Sequence, residues 1–457
     1  MSRTHLCVLG ATGFTGKRVA YELASQISTL HAENKGFTWS IAGRRASALE
    51  EVLAQIMKIV GAADGKDSDN TEKGLLPRII SGVDVTDVGS LVKMASQTTL
   101  VLNCVGPFAE LGENVVKAVL DASEATGQVT HYADVTGETY FIERMVRLYR
   151  DRAAKLGCTI IHAAGVDSIP TDIGVLYAKM QLGADVVPAG IEMGFTLQSE
   201  GRMTFNFATY ASAVAGFASR KELSANRKQL FSALPRATPL AVEKGLSTGA
   251  VKPKKSLGGL VQYHDGFHSH VMPFFFTDPA VVRMSQSLML EAEVKDFQPI
   301  SFVGYFTLPS LLAQLVVIVF LTLFAGLCDF AFGRALLLRY PSFFSGGLFS
   351  KQGPTQEQID QTSFTVTLIA RGHSKALLAG AAPGSKIGPD VTATIKVRGP
   401  EPGYVATPIV FVAAARSILK NGEAVNRGVL TPAAALHRTD IIKVLNEDGR
   451  VTMKKVA

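Results

Sequence analysis

The first half of the chain alternates short apolar runs with amphipathic stretches. His5 to Leu9 (HLCVL) is apolar and β-prone, and a glycine turn joins it to a helix-like stretch from Lys17 to Ser25. Phe37 to Ala42 (FTWSIA) reads as a buried strand that feeds a helix over Ala46 to Val60. Leu76 to Gly82 is a third strand with Asp84 at its exit, Leu91 to Ala95 is helical in part, and Thr99 to Cys104 is a fourth strand. Gly112 to Ala122 (GENVVKAVLDA) is helical, the next strand runs into His131 to Glu138, and Ile160 to Ala163 is one more strand. Strands alternating with helices at this spacing predict an α/β fold with a doubly wound parallel sheet, a Rossmann domain. Gly61 to Lys73 (GAADGKDSDNTEK), small and polar, reads as a surface insertion.

The second half breaks this rhythm. Gly190 to Leu197, Phe364 to Ile369 and Val391 to Val397 have strand character, while Pro408 to Leu419 is an apolar helix and Gly428 to Pro432 leads into another. Between them, Phe297 to Cys328 holds no charged residue, and Leu308 to Cys328 is almost wholly apolar. About 20 such residues rise roughly 30 Å as a helix, the thickness of a bilayer's hydrocarbon. Leu315 to Phe324 (LVVIVFLTLF) shows no amphipathic stripe, so the segment must be buried in lipid, in a dimer core or within the chain's own fold. The lipid reading is favoured, because Phe330 to Phe349 adds Phe and Leu with Arg334, Arg339 and Tyr340, a composition suited to an interface.

The candidate chemistry lies at the strand ends. In Gly10-Ala11-Thr12-Gly13-Phe14-Thr15-Gly16, glycines allow the tight turn, the approach of a pyrophosphate and close helix packing, and the anion then sits on the helix N-terminus. Thr12 stands where the commonest fingerprint has its second glycine. After the second strand come Arg44 and Arg45, where an NAD site carries an acid for the ribose. Two guanidinium groups suit a 2′-phosphate, so the expected cofactor is NADP; a solvated pair opening the next helix is the bland alternative. Asp84 and the run Asn103, Val105, Gly106 and Pro107 lie beyond strand ends and are expected at the cofactor, the latter flanking the nicotinamide. Asp134 is a weak candidate for acid or base catalysis, with Glu138 and Tyr132 beside it. Acids near a helix start are more often caps, and Ser168 with Pro170 reads likewise as a helix start.

Composition narrows the partners. A chain of 457 residues, 47% hydrophobic, has material for two to three domains. Cys7, Cys104, Cys158 and Cys328 form no CxxC pair, and Met1 to Arg3 lead directly to the first strand, so a reduced compartment without a secretory signal is expected. The net charge of +7 is matched by Arg220 to Lys255 alone, where nine cations face Glu222 and Glu243. Prolines and glycines mark much of that stretch as loop, open to solvent or to anionic lipid. It lacks the interleaved aromatics of a single-strand binder, and no nucleic-acid partner is expected. His264, His268 and His270 lack a supporting acid and thiolate set, so no metal is expected.

The blocks GATGFTGKRVAYELA, WSIAGRR, VLNCVGPF, YADVTGE, GVDSIPTDIG, KQGPTQEQIDQTSFT and VRGPEPGYVATP, in this order, resemble the saccharopine dehydrogenase-like oxidoreductases, the animal-type branch in particular. The resemblance implies an NADP-binding Rossmann domain over residues 1–170 and a second α+β domain over 171–404 that includes the hydrophobic segment 301–349. Helices over 405–457 are expected to pack back on the first domain. It also implies lipid-droplet association and a distant relation to trans-acting enoyl reductases. One departure is Ala208, where the family pattern tends to have glycine, which questions the local backbone. The favoured function is an NADP-dependent oxidoreductase on the cytosolic face of a membrane or lipid droplet, acting on a lipid-like carbonyl, imine or alkene. A silent nucleotide-binding scaffold and a saccharopine-type dehydrogenase are the alternatives, and the last needs an arginine cluster for carboxylates that the chain lacks beyond Arg44 and Arg45. A homodimer is left open.

Overall fold

The computed structural model describes residues 3–64, 75–380 and 387–457. The polar insertion read at 61–73 therefore lies mostly outside the described residues. The chain forms two compact units, residues 1–166 with 404–447, and residues 167–403 with 448–457.

In the first unit the apolar runs become parallel strands: β1 (Thr4–Leu9), β2 (Trp39–Ala42), β3 (Arg78–Ile80), β4 (Thr98–Asn103), β5 (His131–Asp134) and β6 (Thr159–Ile161). Among the described residues they form a seven-stranded sheet with Gly428–Leu430 outermost, followed in order by β6, β5, β4, β1, β2 and β3. The order reverses at β1, and in such sheets ligands bind beyond the carboxyl ends of the strands at that point. The intervening helices are α1 (Phe14–Ser25), α2 (Ile27–Glu33), α3 (Ala46–Asp64), α4 (Val88–Ala95), α5 (Phe108–Thr126) and α6 (Thr139–Lys155).

Helix α5 starts four residues before the expected Gly112. Its N-cap is Pro107, which offers no side-chain acceptor, and Glu138 fills the gap: Oε1 accepts from the Phe108 amide at 3.0 Å and Oε2 from the Ala109 amide at 2.8 Å. The later helix Thr407–Asn421 is apolar enough to pass for a membrane span, yet 72% of the apolar window around it is buried. It packs on α1, and Arg416 clasps Glu33 through two hydrogen bonds of 2.9 and 2.8 Å.

The second unit contains α7 (Ile169–Leu182), β7 (Val186–Ser199), β8 (Phe205–Asn206), α8 (Phe207–Ala218), α9 (Arg220–Ala233), α10 (Leu240–Glu243), β9 (Lys254–Ser256), β10 (Val261–His264), β11 (Ser269–Pro273), α11 (Asp278–Glu291), β12 (Ser301–Leu308), α12 (Leu311–Cys328), α13 (Ala331–Arg339), α14 (Pro341–Phe344), β13 (Phe349–Ser350), β14 (Thr362–Ser374) and β15 (Val391–Pro400). A mixed sheet runs β15, β14, β7, β12, β11, β10, β9, with Thr452–Lys455 paired outside β15. The last ten residues thus leave the first unit, a correction to the expected packing of all of 405–457 against it. Backbone pairing of Thr452 to Lys455 with Arg398 to Ile395 captures them.

The basic stretch is largely loop where its prolines and glycines fall, and before them Arg220 to Ala233 is α9, held by buried Asn226 and Leu230 at helical spacing. Ala208 raises no backbone difficulty, because it sits in the first turn of α8, where its amide donates to the Asn206 side chain at 2.9 Å.

Candidate functional site

The turn after β1 is shaped by what glycine lacks. Gly10 has φ +80°, and a Cβ there would stand 2.5 Å from Val105 Cγ2, so the turn closes on the β4–α5 loop only with glycine in place. The Gly13 amide donates to the Gly10 carbonyl at 2.9 Å. Gly13 is exposed, and a Cβ on it would meet only the Gly10 oxygen, at 3.3 Å, so its outer side faces open space. No side chain caps α1, leaving the first-turn amides around Phe14, Thr15 and Gly16 without intrahelical acceptors. Gly16 is buried against the backbone of Gly10 and Ala11. Bare backbone, amide donors and the positive end of a helix meet here, an arrangement suited to an anion.

Thr12 Oγ1 lies beside Gly43, at the end of β2. The Gly43 and Arg44 carbonyls accept from Val83 and Gly82 at 3.1 and 3.2 Å, which ties the exits of β2 and β3 together. Both Arg44 and Arg45 are exposed there. Asp84 occupies the same corner. Hydrogen bonds from the Thr86 amide and hydroxyl, with Arg44 adding its charge, hold its carboxyl below the usual carboxylate range.

The opposite side is built by β4, β5 and β6. Asn103 is buried; its Oδ1 accepts from the Val105 amide at 3.0 Å and its Nδ2 donates to the Tyr132 hydroxyl at 3.0 Å. Gly106 and Pro107 follow as exposed residues, joined by a cis peptide bond. Asp134 is fully buried. Its Oδ2 accepts from Tyr132 at 2.8 Å and faces His162 Nδ1 at 2.7 Å, while Oδ1 accepts from the amides of Thr136 and Ala163 at 3.1 and 3.2 Å. Its carbonyl also receives the Ala164 amide at 2.7 Å. These bonds hold Ala163 in the left-handed region at φ 58°, a conformation unfavourable for alanine and maintained by its surroundings. Burial, then the neighbouring Asp134, pushes the Tyr132 phenol well above its ordinary value, so it stays a donor.

The structure therefore brings Gly10, Thr12, Gly13, Phe14, Thr15, Gly16, Val105, Gly106 and Pro107 to the carboxyl ends of β1 and β4 and the turns that follow them, with Arg44, Arg45 and Asp84 at the exits of β2 and β3. Asp134 ends β5, with both oxygens engaged. Glu138 caps α5. Two neighbours of these residues escaped sequence reading. His162 is fully buried, its Nε2 has no hydrogen-bond partner among the described residues, and the ring meets Phe141 edge-on at 5.0 Å. Tyr404 packs edge-on against the half-exposed Phe14 at 4.7 Å, with Arg18 over both rings. Only the block around GPEPGY hinted at Tyr404, and nothing local marked His162. In the second unit His264 donates through Nε2 to Glu192 at 3.1 Å, and no cluster of three metal-ligating side chains occurs among the described residues.

A parallel sheet reversing order at β1, a glycine turn into a capless helix and an arginine pair after β2 define a dinucleotide-binding oxidoreductase domain. Residues 6–161 match the saccharopine dehydrogenase NADP binding domain. The chain is 34% identical over 448 residues to a saccharopine dehydrogenase-like oxidoreductase of Mus musculus, covering 97% of this chain and 96% of the relative. It is 29% identical to the lipid droplet localized protein of Caenorhabditis elegans, covering 98% and 97% of the two chains. A trans-acting enoyl reductase of Mycobacterium bovis is 35% identical over 170 residues, 37% of this chain and 34% of that one. The chain belongs to the saccharopine dehydrogenase-like oxidoreductase family, with NADP as its cofactor.

Proposed function

We propose that this NADP-dependent oxidoreductase works at the cytosolic face of a membrane or lipid droplet and reduces a carbonyl, imine or enoyl group of a lipid-like substrate. The observation that carries the reading is the union, on one chain, of the nucleotide cradle with α12, an apolar helix of which only 17% is buried. The droplet location named for the nematode relative and the enoyl chemistry named for the mycobacterial one support the same direction.

NADPH supplies a hydride when bound. The α1 amides and Gly13 would hold the pyrophosphate, Arg44 and Arg45 the 2′-phosphate, and Asp84 would border the adenosine end. Asn103 fixes the Val105 amide, so that Gly106 and Pro107 border the nicotinamide. Asp134 has no free oxygen; a proton handled there would pass through His162, whose Nδ1 it holds.

The same geometry favours a second reading. Asp134, Tyr132 and Glu138 are all bonded inward, as expected of a nucleotide-binding sensor or scaffold without turnover. Incubation of the protein with deuterated NADPH and lipid extract decides between the two. Deuterium in a defined lipid product supports the enzyme, whereas tight NADPH binding without transfer to any lipid supports the scaffold.

A further inference from the structure

We propose that α8, α9 and α12 to α14 form a surface that embeds in one leaflet and selects anionic phospholipid, with the apolar stripe of α12 in the acyl layer and a belt of cations at the headgroups. This rests on the lipid association proposed above and adds its geometry and its lipid class.

Helix α12 does not stand free. Near its start, the buried Gln314 donates through Nε2 to the carbonyls of Gln262 at 3.2 Å and Val271 at 2.6 Å, the latter on β11. Near its end, Phe324 and Cys328 are buried in a small core with Tyr210 and Val214 of α8 and Leu337 of α13. Eighteen residues span about 27 Å, so the helix is fastened along its length to one unit, as a helix lying in an interface is and a lone spanning helix is not.

The opposite side is apolar and open. Leu312, Val316, Val319 and Leu323 recur at helical spacing and are 59% to 71% exposed, and Phe330, Phe332 and Phe343 extend the patch at 68% to 80%. Contiguous exposure of this kind marks an interaction surface.

Charge selects the occupant. Residues 207–233 and 311–351 hold seven lysines and arginines against Glu222 and Asp329, the latter ion-paired with Arg220 at 2.5 Å, which leaves a net positive excess. Three of the cations lie over aromatic rings of the same bundle: Arg220 at 5.3 Å from the Phe217 centroid, Arg339 at 5.6 Å from Tyr340 and Lys351 at 5.6 Å from Phe207. Aromatic rings paired with long cations are the composition of a headgroup belt. A second copy of the chain would bring the same positive excess face to face and be repelled; a leaflet with negative headgroups complements both stripe and belt.

The test is flotation of the full chain with phosphatidylcholine vesicles, with and without phosphatidylserine. Binding should be at least about a hundredfold stronger with phosphatidylserine. The triple variant Lys221→Gln, Arg339→Gln, Lys351→Gln, checked for unchanged NADPH binding, should lose about fivefold of that binding per charge and keep its binding to neutral vesicles. Equal binding of the wild type to both compositions, a variant that keeps its full preference, or one that loses both bindings alike would overturn the selection while lipid association stands. A wild type that floats with neither composition, or self-associates instead, overturns lipid association itself.

Discussion

Single side chains divide the cofactor question cleanly. With Arg44 and Arg45 exposed at the exit of β2, replacing both by Ala should weaken NADPH binding by about 1.5 to 3 kcal/mol for each charged hydrogen bond lost, and leave NADH almost unaffected. Titration calorimetry with both nucleotides checks this; equal losses would remove the 2′-phosphate assignment. These arginines were legible in the sequence because an acid is missing where the fold places the ribose. His162 was not, because its meaning comes from a carboxylate 28 positions away that folding sets at 2.7 Å. A pH effect belongs to His131, pushed down to about 4 by burial and by the charges of Arg427 and Arg3, while Nδ1 accepts from the Thr159 amide at 3.0 Å. Since the folded state favours the neutral ring, its contribution is complete above the ordinary value of about 6.5 and is lost as pH falls from there toward 4. His131→Asn, whose Oδ1 keeps an acceptor at the Nδ1 position but does not titrate, should flatten this part of the unfolding free energy against pH, measured by denaturant titration.

At the scale of elements, the two glycines of one turn should respond differently. Gly13→Val directs its side chain into the open side of the cradle, so the fold survives and dinucleotide binding is lost. Gly10→Val adds a strained positive φ to a collision with Val105 and should lower the thermal midpoint of the protein itself. Circular dichroism melts beside NADPH fluorescence separate the two outcomes. Helix α12 gives the second test. Val316→Arg with Leu323→Arg places charge on its open stripe at about 2.5 to 3.5 kcal/mol each for a site at the hydrocarbon centre, and less nearer the headgroups. The variant should leave the floating fraction of a density gradient for the soluble one with NADPH affinity unchanged. Loss of folding instead would show that this stripe is protein core. Sequence periodicity found α12 but saw no stripe, because the segment is apolar all round. Gln314 and the packing against α8 and α13 decide which face is covered. The start of α5 was misplaced for a related reason, since its cap comes from Glu138 rather than from a neighbour in sequence.

For the whole molecule, NADPH at about 100 times its Kd should raise the unfolding free energy of the unit it binds by about 2.7 kcal/mol. Hydrogen exchange should slow at the carboxyl ends of β1, β2 and β4 and in the first turn of α1, and stay unchanged in the strands β7 and β14; equal protection of both sheets would place the nucleotide elsewhere. Local patterns were sufficient for the strands β1 to β6 because each strand and the turn and helix after it lie within a short stretch of chain, with parallel pairing following from the alternation, whereas the outermost strand Gly428–Leu430 arrives from the far end of the sequence. Sequence alone thus determined the Rossmann fold, the glycine turn, the arginine pair and the existence of an apolar helix. Only tertiary structure decided that the last ten residues join the second sheet, that Thr407–Asn421 is core while α12 is open, and that Asp134 is fully bonded. The physical reason is that pairing, burial and hydrogen-bond saturation depend on which distant residues arrive, and composition is the same whichever of them do.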